Sequence, residues 1–143
     1  MRGAVVVVDT NVVVAGLLTA NDRAPTARIL DGMLTAAFPF VLSESLLAEY
    51  RKVLARPALR KAHGLIDTEL DTLLTDVALH AIILKPRRAT SAPDPGDQFL
   101  WDLLAERLDL VLVTGDKLLL QDKRMNGRVI SPRTFVEDIP GFQ

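Results

Sequence analysis

Apolar runs alternate with amphipathic stretches along this chain. Ala4 to Val8 is a nearly continuous β-branched run, the pattern of a strand buried on both faces. Leu110 to Val113 is a second fully apolar run. Phe40-Val41-Leu42, Ala81 to Leu84 and Val129-Ile130 read as shorter strands. Ala27 to Leu34 reads as a helix. Ser43 is placed to cap a helix that carries Leu46, Leu47, Tyr50, Val53 and Leu54 at helical spacing. Pro57 limits that helix, and Gly64 is placed to close a second short piece. Asp67 or Thr68 opens a helix with Leu70, Leu73, Leu74, Val77 and Ala78 on one face. Asp94 as N-cap, with Pro95 at the first helical position, predicts a helix running through Leu108. Ser131 caps a terminal helix containing Phe135 and Val136. Strands that are apolar throughout and alternate with helices predict an α/β domain with a mostly parallel sheet covered on both faces. Lys85 to Pro95, with Pro86 and Pro93, reads as a loop inside one domain spanning 1–143, because neither side is long enough to stand alone.

Composition narrows the function classes. Hydrophobic residues make up 49% of 143, enough for a substantial core. The formal net charge is −1, so any hold on nucleic acid must come from local basic patches. There is no cysteine, which excludes a disulfide scaffold, a thiolate metal site and a cysteine nucleophile. Asp9 interrupts the first apolar run, which is too short for a membrane span or a signal-peptide core. A soluble, cytoplasmic protein without membrane contact is expected.

In open parallel sheets, sites form outside the carboxyl ends of the strands. Two strands end in an acid there, Asp9 and Asp116. Each alone is an ordinary turn residue; the coincidence on two central strands is what draws attention. Glu49 falls at the margin of the Leu46/Tyr50/Val53 stripe, where a solvated flank residue is the usual reading. Asp97 shares a helical face with Leu100, Trp101, Leu104 and Leu108, so it is expected to point inward. Helix-terminal capping is its competing role. Four acids converging on one sheet edge would repel one another unless a cation neutralised them. Oxygen ligands with no His or Cys partner select Mg²⁺ or Mn²⁺ over zinc. The chemistry implied is hydrolysis of a phosphate ester without a covalent protein intermediate.

Val7-Val8-Asp9-Thr10-Asn11-Val12, Leu47-Ala48-Glu49-Tyr50, Asp94-Pro95-Gly96-Asp97-Gln98-Phe99-Leu100 and Val113-Thr114-Gly115-Asp116 occur in that order. This set closely resembles the PIN-domain ribonuclease family, nearest to the single-domain toxins of toxin–antitoxin systems related to VapC-type toxins. The resemblance implies a three-layer α/β/α sandwich with a central, mostly parallel sheet and an acidic pocket for Mg²⁺ or Mn²⁺. It implies that Asp9, Glu49, Asp97 and Asp116 are the metal-binding acids, with Asp94 a cap and reserve ligand. It assigns Asn11 the support of the first acid, and Thr114 the positioning of water or of the acidic network. It further implies an RNA substrate, a homodimer and a small antitoxin partner.

Basic stretches at Arg51, Lys52, Arg56, Arg60 and Lys61, at Lys85, Arg87 and Arg88, and at Lys117, Lys123, Arg124 and Arg128 flank these motifs. Arg51, Lys52, Arg87, Arg88 and Lys117 are the residues expected to hold an RNA backbone, against the ordinary alternative of a solvated helix face. Aromatics are 5% of the chain and stand mostly at apolar positions, so no stacking platform is legible. His63 and His80 sit at helix ends and are not expected in catalysis, and Trp101 is expected in the core. Ser43 and Ser45 lack a nucleophile-elbow setting, and there is no Walker-type glycine loop. A haloacid-dehalogenase-type phosphatase needs a second Asp two residues after the first; position 11 is Asn. An inert RNA- or partner-binding module, or a receiver-like domain, is the non-enzymatic alternative, opposed by the complete acid set.

Overall fold

The computed structural model describes residues 4–87, 92, 95–123 and 127–138. The cap expected of Asp94, the RNA contact expected of Arg88, and Arg124 of the third basic stretch lie outside the described residues.

The first apolar run is strand β1, Val5–Val8, buried along its whole length. It pairs in parallel with β4, Leu110–Val113, from Val5 opposite Leu110 to Val8 opposite Val113. On the far side of β4 lies β5, Val129–Ile130, also parallel. On the other flank, Phe40 bridges to Val6 and leads into β2, Val41–Leu42. That strand pairs in parallel with β3, Ile82–Ile83. The spatial order is β3-β2-β1-β4-β5. The chain builds outward from β1 on one side and then restarts beside it at β4. The β1/β4 boundary is therefore the topological switch point, where parallel sheets open a crevice beyond their strand ends.

Helices cover the sheet, making the three-layer α/β/α sandwich: α1 Thr10–Leu18, α2 Pro25–Thr35, α3 Glu44–Leu54, α4 Pro57–His63, α5 Asp67–His80, α6 Gln98–Glu106, α7 Lys117–Leu120 and α8 Pro132–Asp138. Local chemistry sets most of their ends. Ser43 Oγ accepts the Leu46 amide at 3.1 Å and Ser131 Oγ the Thr134 amide at 3.1 Å, the expected N-caps. Pro57 stands at the first position of α4, and Gly64 closes it at φ +71°, a left-handed conformation that favours glycine. The sheet, α1, α2, α3, α5 and α6 share one apolar core, with Phe40, Tyr50 and Phe135 fully buried.

Two helix boundaries differ from expectation. A 3₁₀ turn, Pro95–Asp97, precedes α6, so the α-helix starts at Gln98. Its other end stops at Glu106, and Leu108, expected on the inward face, is 91% exposed. The reason is Arg128. Its guanidinium donates to the Leu104 carbonyl at 2.7 Å and the Arg107 carbonyl at 2.8 Å, satisfying the orphan acceptors at the end of α6. The same side chain donates to the Leu110 carbonyl at 3.2 Å, where β4 begins. Arg128 is thus a structural clamp between α6 and β4. Among the described residues no helix is long and apolar enough to cross a membrane.

Candidate active site

The strand β1 ends at the switch point, and its next residue, Asp9, serves as N-cap of α1. Asp9 is 8% exposed; its Oδ1 accepts the Thr10 amide at 2.7 Å, while its own amide donates to the Val113 carbonyl at 2.9 Å. The strand β4 ends one step away in Thr114-Gly115-Asp116. Asp116 caps the short α7 by accepting the Leu118 amide on Oδ1 at 2.9 Å. Both acids are therefore turn and cap residues, and both line the same cleft.

Asn11 and Thr114 tie the two strand ends together. The Thr114 hydroxyl, fully buried, donates to Asp9 Oδ2 at 2.8 Å and accepts the Asp116 amide at 3.0 Å and Asn11 Nδ2 at 3.2 Å. A threonine hydroxyl has one donor and two acceptor sites, and all three are taken. Thr114 therefore orients Asp9 and the Asp116 backbone, and has no capacity left to position a water. Asn11 Nδ2 also donates to Asp9 Oδ2 at 3.3 Å, and its Oδ1 accepts the Gly115 amide at 3.1 Å. That amide needs an acceptor, which assigns the side-chain orientation.

The cleft, about 610 Å³, is lined by Asp9, Glu49, Asp97 and Asp116. They come from four separate segments: the end of β1, helix α3, the 3₁₀ turn before α6, and the end of β4. Burial pushes the Asp9 carboxyl above its ordinary pKa. The hydrogen bonds from Thr114 and Thr10 oppose that shift, and the charges of Asp116 and Glu49 add to it. Asp97 makes no side-chain cap on α6, although it stands at the N-cap position. The donor set suits a hard divalent cation, being carboxylate oxygens with no histidine in the lining. Asp9, with three donors on its two oxygens, keeps lone-pair capacity for one more partner. Thr10 Oγ1, at the same edge, is buried with no hydrogen-bond partner among the described residues. Among those residues no three acidic or histidine side chains form a ready-made metal cage; like charges keep apart unless a cation neutralises them.

The basic residues divide. Arg56, from the first basic stretch, lines the cleft. Arg51, the expected RNA contact, instead pairs with Asp71 of α5 at 2.8 Å, away from the cleft. Lys52 is exposed, and neither it nor Arg87 lines the cleft; the Arg87 amide bonds Glu106 Oε1 at 2.6 Å. Lys117 is exposed and opens α7 beside Asp116. Arg60 pairs with Asp67. His63 is spent on backbone, its Nε2 at 2.8 Å from the Leu54 carbonyl and its Nδ1 accepting the Leu65 amide at 2.9 Å.

Sequence reasoning passed over the apolar cleft residues that stand beside Asn11, Glu49 and Arg56. Asn11, Val14, Ala15 and Leu18 form an i, i+3, i+4, i+7 stripe of α1 that faces the cleft, and Glu49 and Val53 of α3, with Arg56 at the start of α4, continue the same wall. The half-buried Phe99 also lines it. The signal existed in the spacing from Asn11 and from Glu49, but an apolar stripe ordinarily reads as core.

A parallel α/β/α domain whose switch point opens on carboxylates from four segments has the architecture of a phosphate-ester hydrolase. The PIN domain family model matches residues 5–118, from β1 into α7, and the chain belongs to that family. Members of the family are generally nucleases, commonly metal-dependent. No curated protein matches the chain.

Proposed function

We propose that this protein is a metal-dependent endoribonuclease that hydrolyses RNA phosphodiester bonds at the cleft between β1 and β4. The observation that carries the reading is the convergence of Asp9, Glu49, Asp97 and Asp116 on one cleft, with Asp9 at its buried floor. These four would hold Mg²⁺ or Mn²⁺. When bound, such an ion polarises a phosphoryl oxygen and lowers the pKa of attacking water. The chain's own part is positioning. Thr114 and Asn11 fix Asp9, the Thr114 hydroxyl ties Asp116 to it, and Arg56 stands at the wall to meet a backbone phosphate. On the motif resemblance we read it further as the cytoplasmic toxin of a toxin–antitoxin pair, a homodimer held in check by a small antitoxin. A phosphatase with Asp9 as nucleophile is disfavoured, because the second acid it needs two residues on is Asn11 here, committed to Gly115, Thr114 and Asp9.

The test is cleavage of a mixed RNA pool by purified protein, with Mg²⁺ or Mn²⁺ against EDTA, beside Asp9→Asn and Asp116→Asn. Metal-dependent cleavage lost in both variants, by about 100-fold or more, is expected. Equal cleavage by wild type and variants would place the activity elsewhere. Metal-independent cleavage would remove the cation from the reading.

A further inference from the structure

We propose that Tyr50 is a positioning residue for the acidic cleft: its hydroxyl couples the wall that carries Glu49 to the floor that carries Asp9. This rests on the metal-dependent reading above. Tyr50 is the single tyrosine in the chain and is fully buried. Its hydroxyl donates to the Val8 carbonyl, across 42 positions of sequence. Val8 is the last residue of β1, and its peptide carbonyl is bonded directly to the Asp9 nitrogen. That carbonyl lies on the β2 side of β1, as the Val6 amide does in donating to the Pro39 carbonyl, whereas Asp9 turns its amide to Val113 of β4. A buried carbonyl needs a donor, and Tyr50 brings one from α3.

The consequence lies in what else α3 carries. Glu49 immediately precedes Tyr50 and lines the cleft, and Val53 and Arg56 follow on the same wall. Burial and the charge of Asp9 both push the Tyr50 phenol well above its ordinary pKa, so it stays a neutral donor. One hydrogen bond thus sets how far the α3 wall stands from Asp9. The Leu46–Tyr50–Leu54 core stripe packs by non-directional apolar contact, and the hydroxyl adds one directional bond from α3 to the end of β1. Substituting Tyr50 by Phe keeps the ring and its packing and removes only the tether. Supporting groups of this kind typically change metal affinity by 10- to 100-fold.

The experiment is Mn²⁺ binding by calorimetry to wild type, Tyr50→Phe and a core variant remote from the cleft, Phe135→Leu, chosen to cost stability without touching the tether. All are measured well below their melting temperatures. The expected result is Mn²⁺ affinity weakened about tenfold or more in Tyr50→Phe and unchanged in Phe135→Leu. Should Tyr50→Phe fail to fold, fluorotyrosine incorporated into the wild-type protein reports this residue alone. Its ¹⁹F resonance is then expected to shift on Mg²⁺ addition and not to shift in Asp9→Asn. Mn²⁺ affinity within twofold of wild type in Tyr50→Phe, or a fluorine resonance indifferent to Mg²⁺ while the wild type binds it, overturns the proposal and leaves the nuclease reading intact. A wild-type protein that binds neither Mn²⁺ nor Mg²⁺ overturns both.

Discussion

Asp9 holds an ionised group where burial disfavours it, and the sign of the effect on stability follows. With its folded-state pKa raised by burial first and by Asp116 and Glu49 after the opposing hydrogen bonds, the folded chain binds that proton more tightly than the unfolded chain. Ionised Asp9 therefore subtracts stability at and above neutral pH. The subtraction fades as pH falls through the raised value toward the ordinary carboxyl range, roughly pH 4. In EDTA, the melting temperature of wild type is expected to rise relative to that of Asp9→Asn as the pH is lowered from 7 to the ordinary carboxyl range, roughly pH 4. A difference that stays flat over that range would show that Asp9 carries no such burden. The comparison needs the variant at every pH because Asn also changes the hydrogen bonds. Thr10, Asn11 and Thr114 all donate to this side chain, and an amide offers only one acceptor oxygen.

At the scale of elements, α1 and α2 pack so closely that a methyl group decides their spacing. A Cβ at Gly16 would lie 2.5 Å from the Thr26 carbonyl oxygen and 3.0 Å from its carbon. Both are backbone atoms, so the helices themselves would have to part. Gly16→Ala gains about 1 kcal/mol of helix propensity and loses more to overpacking, typically 1–3 kcal/mol. It is expected to lower the melting temperature, and to lower cleavage too, because α1 carries Asn11 and the apolar stripe of the cleft. A thermal melt matching or exceeding wild type would mean that parting the two helices costs no more than the propensity gained. The ends of most elements were legible because capping is local: Ser43, Pro57, Gly64 and Ser131 act within a few residues of themselves. The end of α6 was not. Arg128 terminates it from 21 positions away, and no window around Leu108 contains that information.

For the whole molecule, a net charge of −1 means that the RNA binding proposed above must rest on local charge. The structure separates two arginines that the sequence groups in one basic stretch. Arg56 lines the cleft, and Arg51 is paired with Asp71. Arg56→Ala is expected to weaken RNA binding and to reduce the magnitude of the salt-dependence slope by about 1 unit, the loss of one phosphate contact. Arg51→Ala is expected to leave the slope within error. Binding titrations between 50 and 200 mM salt decide it; equal slopes for wild type and Arg56→Ala would remove that residue from the RNA path.

The sequence by itself determined the strands, the starts of α3, α5 and α8, the parallel α/β class and the acids at the two central strand ends, Asp9 and Asp116. Each depends on short-range physics: unbroken β-branched runs, cap hydrogen bonds, and the rule that parallel strands open at their carboxyl ends. Tertiary packing decided the rest. It split the α3 residues into a core stripe and a cleft stripe, turned one face of the apolar α1 toward the cleft, and took Arg51 out of the cleft into an ion pair. It also filled every hydrogen-bonding position of Thr114, which makes that residue a strut for Asp9 and Asp116. Hydrogen-bond saturation and the choice between core and cleft depend on which elements meet. Those meetings join residues as far apart as Asp9 and Thr114, beyond the reach of any local pattern.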